Sequence, residues 1–133
     1  MKEMLAPLHA HHDFAQTAAT QFAKPIVVEA DLKGANRAVH PVVRTHPETG
    51  RKGLYVNPGM TVRLEGFEVD ESEALLGFLF GHATQHQFIY RHRWRQGDVV
   101  IWDNRSLMHC AVCNYGDQPR YMERTTGIGD QPV

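Results

Sequence analysis

The residues best placed to do chemistry lie near the end of the chain, in GDVVIWDNRSLMHCAVCNYGDQPRYMER, Gly97 to Arg124. His109 stands among apolar residues, with Cys110 and Cys113 just beyond it. Side chains alternate along a strand, so His109, Ala111 and Cys113 would share one face and Met108, Cys110 and Val112 the other. A neutral imidazole fixed on a rigid strand is a good ligand for Fe(II). It is equally a core histidine with a satisfied hydrogen bond. The cysteines have C-x-x-C spacing, which can mean zinc or redox chemistry. On a strand they point to opposite faces and cannot grip one ion. They therefore read as small buried hydrophobes, and a zinc centre built from His109, Cys110 and Cys113 is disfavoured. Arg120 and Arg124 follow in RYMERTT, on one face of a strand, with Met122 between them. Two converging guanidiniums repel unless an anion lies near, and a carboxylate held bidentately by arginine is a strong, oriented contact. The plainer alternative pairs them at the surface with Glu123 or Asp117.

Several elements must position these residues. Residues 1 to 22 read as helical, with Met4, Leu5, Leu8 and Phe14 as the apolar positions and Pro7 marking a break or a first turn. Residues 23 to 40 have no clear period and read as a linker or loop. HPVVRTHPETGRKGLYVN signals a hairpin, Val42–Thr45 and Gly53–Val56 flanking a turn. DESEALLGFLFGHAT predicts a helix capped by Asp70, with Glu73 in capping-box spacing and Leu75, Leu76, Leu79 and Phe80 on its apolar face. FIYRHRW alternates as a half-buried strand, and VVIWDN is a buried-strand run. LMHCAVC and RYMERTT are two further strand candidates around the turn NYGDQP. The expectation is a single domain of 133 residues, mainly β with helices. A helical and loop lead-in over 1–39 precedes a β-rich part over 40–133 whose short strands suggest a sandwich or jelly roll.

Charge adds exclusions. Lys plus Arg total 14 and Asp plus Glu 15, so there is no cationic excess of the kind that binds nucleic acid. No apolar run reaches the length of a membrane span. MKEMLAPLHAHHDF lacks the apolar core of a secretory leader, so a cytoplasmic location is expected. Two cysteines make no disulfide framework. Nine histidines are the one oddity, and most extra histidines are surface residues.

HPVVRTHPETG, LYVNPGMT, ESEALLGFLFGH, GDVVIWDNRSLMH and the His109-to-Arg120 spacing together resemble the taurine dioxygenase / 2,4-dichlorophenoxyacetate dioxygenase family. The resemblance runs from about His40 to Pro132, and residues 1 to 14 resemble the family's segment that ends a helix with HDF. It implies an Fe(II)- and 2-oxoglutarate-dependent oxygenase whose core is a double-stranded β-helix, a cupin-like jelly roll. By that resemblance His109 is the distal iron-binding histidine, Arg120 holds the far carboxylate of 2-oxoglutarate, and Arg124 lies near cosubstrate and an anionic substrate. Met60 stands where taurine-type members place an aromatic residue facing substrate, a departure that puts taurine itself in doubt. Trp102 and Asn104 would serve packing and hydrogen bonding. The implied reaction hydroxylates a small anionic substrate and converts 2-oxoglutarate to succinate and carbon dioxide.

The family's iron site also needs a His-x-Asp pair upstream of the matched segment. The resemblance therefore implies the C-terminal half of such an enzyme, an incomplete barrel prone to self-association through exposed strand edges. His11-His12-Asp13 spells His-x-Asp, but it follows a helix-like stretch and aligns with the family's non-ligand HDF, so it reads as a decoy. The alternative from another class is a non-catalytic β module that lacks the His-x-Asp ligands and still binds a dicarboxylate through its arginines.

Overall fold

The computed structural model describes residues 1–13, 37–112 and 114–133. Helix α1, Lys2–Leu5, is one turn long. Pro7 stops it, because a proline ring clashes with the carbonyl four residues back and offers no N–H. The helix expected over 1–22 is thus corrected. His9–Asp13 is strand β1, and the rest of that expected helix lies outside the described residues. Ala10 and His12 alternate inward along β1, both buried, which is the two-residue period of a strand.

β1 is the centre of a three-stranded antiparallel sheet. It pairs with β2, Arg37–Pro41, in the register His9↔Pro41 to Asp13↔Arg37. On its other side it meets β5, Thr61–Leu64, with Ala10 opposite Leu64 and an irregularity between His11 and His12. The 39/40 boundary expected between lead-in and β-rich part falls inside β2, so the lead-in contributes strands of its own. Between β2 and β5 the predicted hairpin forms. β3, Val43–Thr45, pairs with β4, Lys52–Leu54, in the register Val43↔Leu54 to Thr45↔Lys52. Gly50, at φ 68°, takes the left-handed turn position there. Backbone bonds from Val42 N–H to the Leu8 carbonyl (2.9 Å) and from Tyr55 N–H to the Val42 carbonyl (2.8 Å) tie hairpin to sheet.

Helix α2, Val69–Ala83, follows β5. Its capping box is Glu68 with Glu71, two residues before the Asp70 and Glu73 expected, because the helix begins at Val69. Ser72, Leu76 and Leu79 form the buried stripe, at helical spacing. Ser72 also accepts a hydrogen bond from the Leu64 N–H at 2.9 Å, which fixes the helix on β5. The core is Leu5, Ala10, Val42, Val56, Leu64, Leu76 and Leu79, with Leu75 and Phe80 packed against it.

A 3₁₀ turn at His86–Phe88 ends the regular structure. Among the described residues from Ile89 to Val133 there is no helix or strand. The strands expected at FIYRHRW, VVIWDN, LMHCAVC and RYMERTT are therefore not formed. Their alternation is real, but a strand is held by its neighbours, and no described element pairs with them. Among the described residues the architecture is mainly sheet with few helices and no closed barrel, as expected of an incomplete jelly roll. No helix among the described residues is long and apolar enough to cross a membrane.

Candidate functional site

His109 sits on the unpaired segment and is exposed, its ring 5.0 Å from that of Trp102. The Arg120 guanidinium lies over the Tyr115 ring at 5.8 Å, and Arg124 is exposed. Among the described residues no hydrogen bond, ion pair or ring contact joins His109 to Arg120 or Arg124. The expected burial of Cys110 is corrected, since it is a free, exposed thiol; Cys113 lies outside the described residues. Trp102 and Asn104 do hydrogen-bond one another, indole N–H to amide oxygen at 2.8 Å. Met60 is exposed at the start of β5, and its carbonyl accepts the Asp13 N–H at 2.8 Å. Among the described residues no three His, Cys, Asp or Glu side chains converge to hold a metal ion.

His11, His12 and Asp13 line an open cleft of about 610 Å³ beside α2. The Asp13 carboxylate is already engaged by Arg37 Nε at 2.7 Å. The buried His12 ring packs edge-on to His40 (5.0 Å between ring centroids) and stacks on Tyr55 (5.9 Å). Its Nε2 has no hydrogen-bond partner among the described residues. Burial first, and the neighbouring His40 second, push its pKa down from 6.5 to about 4. His40 is lowered as well, by burial and then by Arg44.

Sequence reasoning missed a charged network that joins the unpaired segment to the hairpin. Asp103 is its hub. Its carboxylate accepts Arg105 Nε (2.9 and 3.1 Å), Arg105 Nη2 (2.8 Å), the Arg105 backbone N–H (2.8 Å) and His46 Nε2 (3.0 Å). His46 Nδ1 accepts the Glu48 and Thr49 backbone N–H groups, both at 3.3 Å, so the ring proton sits on Nε2 and points at Asp103. The Arg105 side chain above all, with His46 after it, holds the Asp103 carboxyl well below the usual carboxylate range. Asp103 and then Glu48 push the Arg105 guanidinium still higher than its ordinary value. Arg105 also reaches Glu48 at 2.9 Å and Asp130 at 3.8 Å. Asp130 in turn accepts Arg44 Nη2 at 2.9 Å, from a buried arginine that lies over the Tyr55 ring. Its own backbone N–H first, then Arg44, lowers the Asp130 carboxyl. The one sequence signal for this network was the density of charge in THPETGR and WDNR, which read as turn and scaffold.

The sequence matches the family described as taurine catabolism dioxygenase TauD, TfdA family over residues 1–126. It is 44% identical over 94 residues to the alpha-ketoglutarate-dependent sulfate ester dioxygenase of Pseudomonas putida, covering 71% of this chain and 31% of that protein. Against the alpha-ketoglutarate-dependent 2,4-dichlorophenoxyacetate dioxygenase of Cupriavidus pinatubonensis the identity is 49% over 93 residues, 70% of this chain and 32% of that one. The fold matches the crystal structure of a taurine dioxygenase from Burkholderia xenovorans at a TM-score of 0.62 and 35% identity, over 79% of this chain and 31% of that chain. The chain spans about a third of the length of the curated relatives it matches. With nearly its whole length inside one family's pattern, this chain belongs to the taurine catabolism dioxygenase TauD, TfdA family.

Proposed function

We propose that this chain supplies the C-terminal portion of an Fe(II)/2-oxoglutarate-dependent dioxygenase acting on a small anionic organic substrate of the sulfonate, sulfate ester or aryloxyalkanoate class. The observation that carries this reading is the family match across residues 1–126, which takes in His109, Arg120 and Arg124. The relatives' names supply the substrate classes. Arg120 holds the far carboxylate of 2-oxoglutarate through charge-assisted, fork-like hydrogen bonds. Arg124 adds a second cation that favours anionic substrate and cosubstrate, and Met60 faces substrate. His109 supplies one imidazole ligand to Fe(II). The described residues do not complete an iron site, since no three His, Cys, Asp or Glu side chains among them converge to hold one.

The test is a calorimetric titration of 2-oxoglutarate into the chain. The reading expects saturable binding that Arg120→Ala weakens by about tenfold or more, the loss of one charge-assisted contact. Binding indifferent to Arg120 overturns it. Among the described residues no three metal-ligating side chains converge, which favours one further reading, a non-catalytic module that takes up the diacid without iron. Fe(II) added without oxygen separates the two. A visible charge-transfer band that His109→Ala abolishes marks the oxygenase; 2-oxoglutarate binding without a band marks the module. The exposed apolar side chains of residues 88–133, together with the outer edges of β2 and β5, also lead us to expect self-association. A stable monomer in size-exclusion chromatography contradicts that.

A further inference from the structure

The hairpin β3–β4 holds the C-terminal segment by four tethers. Arg44 bonds Asp130, His46 bonds Asp103, Glu48 bonds Arg105, and the Thr45 N–H bonds the Val133 carbonyl at 3.0 Å. Two tethers grip the chain just before Ser106 and two grip it after Gly129. Arg105 and Asp130 close the gap between those grips. Residues 106–129 are thus a loop pinned at its base, and His109, Arg120 and Arg124 all lie within it.

We propose that Arg44, His46, Asp103, Arg105 and Asp130 form a clamp whose role is to position the His109–Arg124 segment for 2-oxoglutarate. They are positioning residues, and the proposal rests on the reading of Arg120 as the residue that holds the diacid. Closing the base of a loop removes conformations that ligand binding would otherwise have to remove, so affinity rises without any new contact to the ligand. Isolated surface ion pairs contribute little. This network differs in two ways. Arg44 is buried against Tyr55, and Asp103 is saturated by a guanidinium fork and an oriented imidazole. Asp103 also folds the turn it belongs to, its carbonyl accepting the Ser106 and Leu107 N–H groups at 3.1 and 3.0 Å. The geometry of the turn leading to His109 and the grip of the hairpin are therefore set by one residue.

The test is hydrogen–deuterium exchange on the whole chain, paired with titration of 2-oxoglutarate. Asp103→Asn should speed exchange of the Ser106 and Leu107 amides, the two that the Asp103 carbonyl holds, by about tenfold while β1, β5 and α2 keep their parental rates. It should weaken 2-oxoglutarate binding by about tenfold. Arg105→Lys, which keeps the charge and loses the fork, should follow Asp103→Asn. Glu48→Gln, on an exposed side chain that cannot compromise folding, should give the same pattern at about twofold. Parental exchange at Ser106 and Leu107 in Asp103→Asn overturns the proposal. So does a uniform rise that includes β1, β5 and α2, which would make Asp103 a general stability residue, and so does faster local exchange with unchanged affinity. Failure of the underlying reading looks different. If the parental chain does not bind 2-oxoglutarate, or Arg120→Ala binds it equally well, the cosubstrate role of the clamp falls with that reading, even where exchange behaves as expected.

Discussion

Val42, Leu64 and Leu79 lose nearly all their solvent contact, whereas Val99, Ile101 and Ile128 are 84%, 91% and 106% exposed. All six are ordinary β-branched or aliphatic residues, and Val42, Leu79, Val99 and Ile101 lie in stretches that read as strand or helix. The first three belong to the part of the molecule before Ile89, where each strand finds its partner within the chain. β1 has β2 and β5, β3 has β4, and α2 lies on β5. The others belong to residues 89–133, where the same kind of pattern forms no strand among the described residues. An alternating stretch states which faces a strand would have. It becomes a strand only when a neighbour accepts its hydrogen bonds and a layer covers its apolar face.

Core truncation separates the two regions most sharply. Leu64→Ala, in the layer between β1 and α2, should lower stability by about 2–5 kcal/mol through lost burial and a residual cavity. Ile101→Ala should change it by less than about 0.5 kcal/mol. Urea unfolding of the two variants checks this, and equal losses would erase the contrast. Acid comes next. The folded state holds His12 at about 4, below its ordinary 6.5, so as pH falls the unfolded chain binds this proton first. The contribution is fully present above pH 6.5 and is lost progressively down to about 4, below which it levels off. The loss is on the order of 2 kcal/mol. His12→Phe should flatten that stretch of the stability–pH curve, and a slope unchanged in the variant would refute the assignment. Ser72→Ala leaves the buried Leu64 N–H unpaired and should cost about 1–2 kcal/mol, read from the same urea curves. The smallest effect expected is at the start of α2. Glu71→Ala breaks one arm of the capping box and should cost about 0.5–1 kcal/mol, with helicity reduced in far-ultraviolet circular dichroism.

The legible parts of the fold were those written in local chemistry. The hairpin turn around Pro47 to Gly50 and the apolar stripe of α2 need only near neighbours, and both form where their patterns place them. α2 starts earlier than expected because Glu68, itself an acceptor for the first turn, sits in capping geometry ahead of Asp70. β1 was missed because HAHHD carries few of the residues that favour strands, and its buried His12 owes its place to the ring of Tyr55 rather than to propensity. His109, Arg120 and Arg124, the proposed site residues, were legible only by family likeness. Their positioning was not, because Asp103 and Arg105 find His46, Glu48 and Asp130 across long stretches of sequence that no periodicity connects.

The central claim is that Arg120 grasps the far carboxylate of 2-oxoglutarate. Its most direct measurement compares the affinity of the chain for 2-oxoglutarate and for 2-oxobutyrate, which has no far carboxylate, in the parental protein and in Arg120→Ala. The account predicts a preference for 2-oxoglutarate of about tenfold or more in the parental protein, collapsing to near unity in the variant. Equal affinities in the parental protein, or a preference that survives the loss of Arg120, would contradict it.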